Sequence, residues 1–137
     1  MGQILGIDYG KRRTGIAITD DMKLIASGLT TVETPQLMDF LKNYQSQHQV
    51  EAVVVGYPID LRGQVSEIET DILSFLEEYK TAFPKVEIHR LDERFTSKMA
   101  SFFISQSGKS KKQKQNKGLI DQVSATIILQ NFLEQKK

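Results

Sequence analysis

The chain has 137 residues, of which 39% are hydrophobic and 26% are charged, with a net charge of +1. These proportions exclude a disordered chain and predict a single domain spanning residues 1–137. Cysteine is absent, which excludes disulfides and zinc–thiolate sites, and the sequence contains neither a long apolar span nor a signal peptide, so we expect a soluble cytoplasmic protein without a membrane partner.

The first part of the chain is predicted to contain three strands followed by a helix. Apolar and β-branched residues bounded by turn residues predict strands over residues 3–8, 14–19 and 24–32. Short turns connect these strands, which favours an antiparallel meander. Thr34 before Pro35 is typical of a helix start with Thr34 as the capping residue, and apolar residues follow at helical spacing.

Strands and helices alternate in the rest of the chain. The predicted elements are a buried strand over 50–55, a helix after Ser66, a strand over 86–91, a helix capped by Thr96 and a last helix over 118–136. Ser66 and Glu69 have the spacing of a capping box. This alternation predicts an α/β fold with a five-stranded mixed sheet that carries helices on both faces.

Acidic residues lie at the ends of three of these elements. Asp8 ends the first strand, Asp92 and Glu93 end the last strand, and Asp121 lies in the first turn of the final helix. Because ligands of open α/β sheets bind beyond the carboxyl ends of the strands, one sheet edge can gather these carboxylates. Oxygen ligands suit Mg²⁺ or Mn²⁺, which can activate water for phosphodiester hydrolysis. Taken singly, each acid is equally well explained as a turn former, a helix-dipole partner or half of an ion pair.

Basic residues are neighbours of these acids in the sequence. They are Arg12, Arg13, Arg94, Lys109, Lys111, Lys112, Lys114 and Lys117. The five lysines belong to a segment over residues 109–117 that has no acidic residue, and such a local patch can bind phosphates although the whole chain is almost neutral. A solvated loop is the alternative explanation of this segment.

Four short motifs follow one another over nearly the whole chain. They are GIDYG at 6–10, VVGYP at 54–58, DERFTS at 92–97 and KGLID at 117–121. Together they resemble the motifs of the YqgF-type family of Holliday junction resolvases and pre-16S ribosomal RNA nucleases. Tyr57 and Phe95 replace leucines that are usual in the family, and neither change removes a carboxylate.

The resemblance implies a ribonuclease H-like fold with Asp8, Glu93 and Asp121 as catalytic, metal-binding residues, Glu93 being favoured over Asp92. It implies a metal-dependent endonuclease that matures the 5′ end of pre-16S ribosomal RNA, with Holliday junction cleavage as the alternative. The expected partners are structured RNA or branched DNA and the precursor of the small ribosomal subunit. Two other classes stay open: an actin-like nucleotide-binding kinase or ATPase, which normally needs two such domains, and a non-catalytic nucleic-acid-binding module, which would need no metal.

Overall fold

The computed structural model describes residues 2–20, 22–23, 25–93 and 117–135, the side chains of the last range from residue 121 onward. The strands are β1 (Gln3–Asp8), β2 (Arg13–Thr19), β3 (Ala26–Glu33), β4 (Val50–Tyr57) and β5 (Glu87–Asp92). The helices are α1 (Leu37–Gln47), preceded by a 3-10 turn (Thr34–Gln36), α2 (Ile68–Ala82) and α3 (Lys117–Gln135). The helix predicted after Thr96 lies outside the described residues.

The five strands form one mixed sheet in the order β3-β2-β1-β4-β5. The first three strands pair antiparallel, which confirms the predicted meander, while β4 runs parallel to both β1 and β5. The carboxyl ends of β1, β4 and β5 therefore lie at one edge of the sheet. The start of β2 lies at the same edge, because Gly15 is the strand partner of Asp8.

Helices cover both faces of the sheet, as the alternation in the sequence predicts. Because successive side chains of a strand point to opposite faces, β1 buries Leu5 and Ile7 under α1 and α2, while Ile4 packs under α3. Burying each such side chain contributes roughly 1.5–3 kcal/mol to stability. Within the described ranges, no helix combines the length and the apolar character needed to cross a membrane.

Glycines bring α3 unusually close to the sheet. A Cβ atom built on Gly6 would lie 2.7 Å from the Cβ of Leu129 and 2.8 Å from the carbonyl oxygen of Ala125. On Gly15 it would collide with the backbone carbonyl of Asp121. The helix thus rests on bare backbone at these positions, and its distance from the sheet depends on the missing side chains.

The predicted cap at Thr34 is wrong, and only one half of the predicted capping box is present. The Thr34 hydroxyl donates to the carbonyl of Gly10 at 2.6 Å, and neither the 3-10 turn nor α1 has a side-chain cap. Ser66 accepts a hydrogen bond from the Ile68 amide at 3.4 Å, but the Glu69 carboxylate binds Arg90 and does not complete the capping box. Thr34 thus connects the 3-10 turn to the turn after β1, and Glu69 connects α2 to β5.

Candidate active site

Asp8 and Glu93 are in direct contact at the carboxyl edge of the sheet. The Glu93 amide donates to the carbonyl of Tyr57 at 3.0 Å, which continues the pairing of β4 and β5 by one residue. The side chain of Glu93 then lies across Gly56 and contacts the Asp8 carboxyl group.

The surroundings of this pair oppose negative charge. Burial raises the pKa of Asp8 well above its ordinary value, and the negative charges of Glu93 and Asp121 raise it further. Burial also raises the pKa of Glu93, against the lowering effect of its hydrogen bond to Asp8 and of the Arg90 charge. Buried carboxylates that repel one another are stabilised when a proton or a cation lies between them.

Asp121 approaches the same pair from helix α3. The helix begins at Lys117, so Asp121 lies in its second turn and not in the first turn that the sequence suggests. Its backbone packs against Gly15, the strand partner of Asp8, and its charge acts on the Asp8 carboxyl. Its Oδ2 lies 3.5 Å from Nε of Arg13.

The donor set fits a hard divalent cation. Carboxylate oxygens are the ligands that Mg²⁺ and Mn²⁺ prefer, and a cation beside the buried carboxyl groups of Asp8 and Glu93 would relieve their mutual repulsion. Among the residues that the structure describes, no three acidic or histidine side chains already have the spacing of ligands around one ion. Asp121 is instead engaged by Arg13. The metal-binding and catalytic roles of Asp8, Glu93 and Asp121 stay predictions.

Arg90 lies at this edge of the sheet, and the sequence patterns did not identify it as part of the site. Its guanidinium binds both oxygens of Glu69, at 2.7 and 2.9 Å, and donates to the carbonyls of Val55 and Gly56 at 3.2 and 3.0 Å. It also lies 5.4 Å from the ring centre of Tyr57. Arg90 therefore fixes the end of β4, the strand on which Glu93 rests. An arginine inside the pattern of a buried strand is the signal that could have revealed it.

A cleft of about 710 Å³ opens beside Glu93 and is lined by the loop over residues 58–67. The loop is braced internally, since Oδ1 of Asp60 accepts hydrogen bonds from the amides of Arg62 and Gln64, both at 2.9 Å. The same loop connects β4 to α2. The structure shows a groove that has a carboxylate of the Asp8 cluster in its wall.

The predicted phosphate-binding residues are only partly within the described chain. Arg12 is exposed in the turn between β1 and β2, and Arg13 is the partner of Asp121. Arg94, Lys109, Lys111, Lys112 and Lys114 lie outside the described residues, as does the side chain of Lys117. Their role stays a prediction. His89 packs against the ring of Phe132 at 4.8 Å, as expected of a structural histidine.

Gly56→Ala is expected to damage the site more than the fold. The added Cβ would lie 2.5 Å from Cδ and 2.7 Å from Cγ of Glu93, and a flexible side chain can move away at little cost. We expect the unfolding free energy to change by about 1 kcal/mol. Mn²⁺ affinity, measured by calorimetry, should fall about 10- to 100-fold, as when the support of a metal ligand is lost. An unchanged Mn²⁺ affinity would show that the position of Glu93 over Gly56 is irrelevant.

The sequence matches a known family over almost its whole length. Residues 2–135 match the family model described as "RuvX: Holliday junction resolvase". A protein of Flavobacterium johnsoniae is 54% identical over 137 residues, covering 100% of this chain and 99% of that protein. One of Bacteroides fragilis is 46% identical with the same coverage. Both bear the name "Putative pre-16S rRNA nuclease".

Solved structures of two resolvases share the fold. The fowlpox virus resolvase, in complex with Holliday junction DNA, has a TM-score of 0.61 at 12% identity and covers 98% of both chains. RuvC of Thermus thermophilus, in complex with a Holliday junction substrate, has a TM-score of 0.60 at 17% identity, covering 98% of this chain and 95% of RuvC. These similarities confirm the ribonuclease H-like fold that the motifs imply.

Proposed function

This chain belongs to the RuvX family, and on that basis we propose that it is a metal-dependent endonuclease that matures the 5′ end of pre-16S ribosomal RNA. The names of relatives at about half identity support the nuclease activity and the substrate. We propose that residues 1–137 act as one nuclease domain on the precursor of the small ribosomal subunit, in the cytoplasm.

The observation that carries the proposal is the convergence of acidic side chains on Asp8. The Glu93 side chain contacts the Asp8 carboxyl group, and the negative charge of Asp121 on α3 also acts on it. A protein that used these residues only for structure would be more stable without the buried charges, because burying carboxylates costs free energy unless they are compensated. The arrangement therefore favours a catalytic protein over a passive binding module.

The chain's own residues prepare the site for hydrolysis. A divalent cation held by the carboxylate oxygens would activate water and neutralise charge at the phosphate. Asp8 and Glu93 would hold the cation through their carboxylate oxygens, with Asp121 contributing a third carboxylate. Gly56 and Gly15 keep side chains out of the space where these groups meet. The braced loop over residues 58–67 would orient the nucleic acid beside Glu93.

A four-way DNA junction is the second candidate substrate, because the matching family model is described as a Holliday junction resolvase. To distinguish the two substrates, the parent protein is incubated in Mn²⁺ with precursor 16S RNA or with a synthetic junction at the same concentration. We expect cleavage of the RNA near the mature 5′ end at a higher kcat/KM than cleavage of the junction. Faster symmetrical cleavage of the junction would identify a resolvase.

The lysine segment is expected to supply affinity without chemistry. Each phosphate contact that is lost should lower the salt slope of RNA binding by about 0.7–0.9. Changing Lys111, Lys112 and Lys114 to Ala should therefore weaken RNA binding and flatten its salt dependence, while stability changes by only about 0.5 kcal/mol. Fluorescence anisotropy of a labelled RNA against salt concentration measures both quantities.

The matched control removes three lysines from another surface. Lys42, Lys80 and Lys85 are exposed on or beside α1 and α2, and changing them to Ala removes the same charge. The control should keep most of the parent's salt slope. Equal slopes for the lysine-segment variant and the parent would make the segment a solvated connector.

A further inference from the structure

The ion pair between Arg13 and Asp121 is incompletely made. The closest approach is 3.5 Å, between Nε and Oδ2, which is long for a charge-assisted hydrogen bond. Nε of Arg13 is buried and has no hydrogen-bond partner among the described residues. Arg90, by contrast, binds Glu69 through two short hydrogen bonds. Arg13 is thus held near Asp121 by charge, without the geometry of a fixed structural pair.

Arg13 lies at the rim of the carboxylate cluster. It opens β2 two residues before Gly15 and therefore shares the face that α3 covers. Its side chain is 38% exposed and that of Asp121 is 26% exposed. The guanidinium group that contacts Asp121 is therefore accessible to solvent and to a phosphate group of a bound nucleic acid.

The charges at this edge leave Arg13 with two competing roles. Arg90 is already neutralised by Glu69, so Arg13 is the cation in direct contact with an acid of the cluster among the described side chains. A divalent cation that used Asp121 as a ligand would compete with Arg13 for the same carboxylate. Once displaced, Arg13 would be a partly buried cation beside the bound nucleic acid, and its planar guanidinium suits a phosphate.

We propose that Arg13 is an exchangeable counter-ion: it holds Asp121 while the site lacks a metal ion, releases it when a divalent cation binds, and then binds a phosphate of the nucleic acid. The inference rests on the proposed function. The exchange couples binding of the cation to binding of the phosphate. Metal binding frees Arg13 for the phosphate, and phosphate binding in turn draws Arg13 away from Asp121. Such coupling is reciprocal by thermodynamic necessity.

The direction in which Arg13→Gln changes Mn²⁺ affinity distinguishes an exchangeable counter-ion from a residue that only positions Asp121. Calorimetric titration of Mn²⁺ without nucleic acid should show Arg13→Gln binding the ion about twofold to fivefold more tightly than the parent, because a half-exposed ion pair no longer competes. Arg13→Lys keeps the charge and should remain close to the parent. Lys80→Gln, a change at an exposed cation in the last turn of α2, should leave the affinity unchanged. Equal or weaker binding by Arg13→Gln overturns the proposal, since removing a residue that orients a ligand weakens binding.

A second experiment needs no metal. Binding of a labelled single-stranded RNA is measured against salt in EDTA for the parent, Arg13→Gln, Asp121→Asn and the double variant. In the parent background Arg13→Gln should lower the salt slope only slightly, because Asp121 competes with phosphate for the arginine. In the Asp121→Asn background, where the arginine is released, the same change should lower the slope by about 0.7.

A slope change that is equal in both backgrounds, or absent from both, overturns the exchange. Melting curves of all four proteins show whether they are folded at the measuring temperature. Because this cycle contains no metal ion, its failure is distinguishable from failure of the metal-dependent function, which would appear as a parent protein that binds no Mn²⁺.

Discussion

Asp8→Asn should abolish cleavage and at the same time make the metal-free protein more stable at neutral pH. The amide has nearly the same shape and can donate a hydrogen bond to the neighbouring Glu93 carboxylate, but it removes an anionic metal ligand. Removing a group that hydrogen-bonds a metal ligand lowers metal affinity or activity about 10- to 100-fold. Removing the ligand itself should therefore lower kcat at least about 100-fold. Stability should rise by about 1–3 kcal/mol, the usual cost of a buried polar group that is incompletely compensated.

The gain in stability should depend on pH. Burial and the neighbouring acids raise the folded-state pKa of Asp8 above the unfolded value. Below the unfolded pKa the group is protonated in both states and carries no penalty. As pH rises through the unfolded pKa and on towards the folded one, the unfolded chain releases its proton first, and the parent loses stability. The difference between Asp8→Asn and the parent should therefore be small in acid and largest at neutral pH.

Thermal melts between acid and neutral pH, in EDTA, measure this difference. Glu77→Gln removes an exposed carboxylate of α2 and should melt like the parent at each pH. Added Mn²⁺ should raise the melting temperature of the parent and not that of Asp8→Asn, since only a protein that binds the ion is stabilised by it. A lower stability of Asp8→Asn at neutral pH would contradict the buried, repelled carboxylate.

Gly15→Ala should destabilise the whole domain. The added Cβ would collide with the backbone carbonyl of Asp121 and lie 3.0 Å from its Cβ, so neither a side-chain rotation nor a small local shift can relieve the contact. Helix α3 would have to move away from the sheet. Forced overpacking costs about 1–3 kcal/mol or more, and each kcal/mol lowers the melting temperature by roughly 4 °C in a domain of this size. Cleavage should fall as well, because Asp121 moves with the helix.

Gly28→Ala is the matched control on the same face of the sheet. Its Cβ would lie 3.3 Å from Oε1 and 3.4 Å from Cβ of Gln122, a flexible side chain that can adjust. We expect its melting temperature to change by no more than a few degrees, since the loss of unfolded-state freedom offsets a mild crowding. Equal effects of the two substitutions would show that contact with the Asp121 backbone is not special.

The fold was largely predictable because it follows from local patterns. The apolar run over residues 50–55 and the short turns between the first strands specified the central strand and the meander. The position of Asp8 at a strand end was also visible. Choosing Glu93 over Asp92 required the family resemblance, and in the structure Glu93 is the acid that contacts Asp8.

The features that could not be predicted depend on contacts between distant segments. Gly15 and Gly56 look like ordinary strand residues, yet each makes room for one acid of the cluster, a relation set only when the sheet and α3 pack together. Glu69 matches a local capping motif, but its carboxylate binds Arg90, 21 residues away, at 2.7 Å and does not bind the backbone at the start of α2. Tertiary ion pairs of this kind are stronger than the local alternative and leave no signal at short sequence spacing.

The proposed metal-dependent activity is tested most directly by cleavage of precursor 16S RNA with the parent and with Asp8→Asn, purified in parallel, each in Mn²⁺ or in EDTA. We expect products with a defined 5′ end from the parent in Mn²⁺, and none from the parent in EDTA or from Asp8→Asn in either condition. Cleavage by the parent in EDTA, or equal cleavage by Asp8→Asn in Mn²⁺, would contradict a metal-dependent nuclease centred on Asp8.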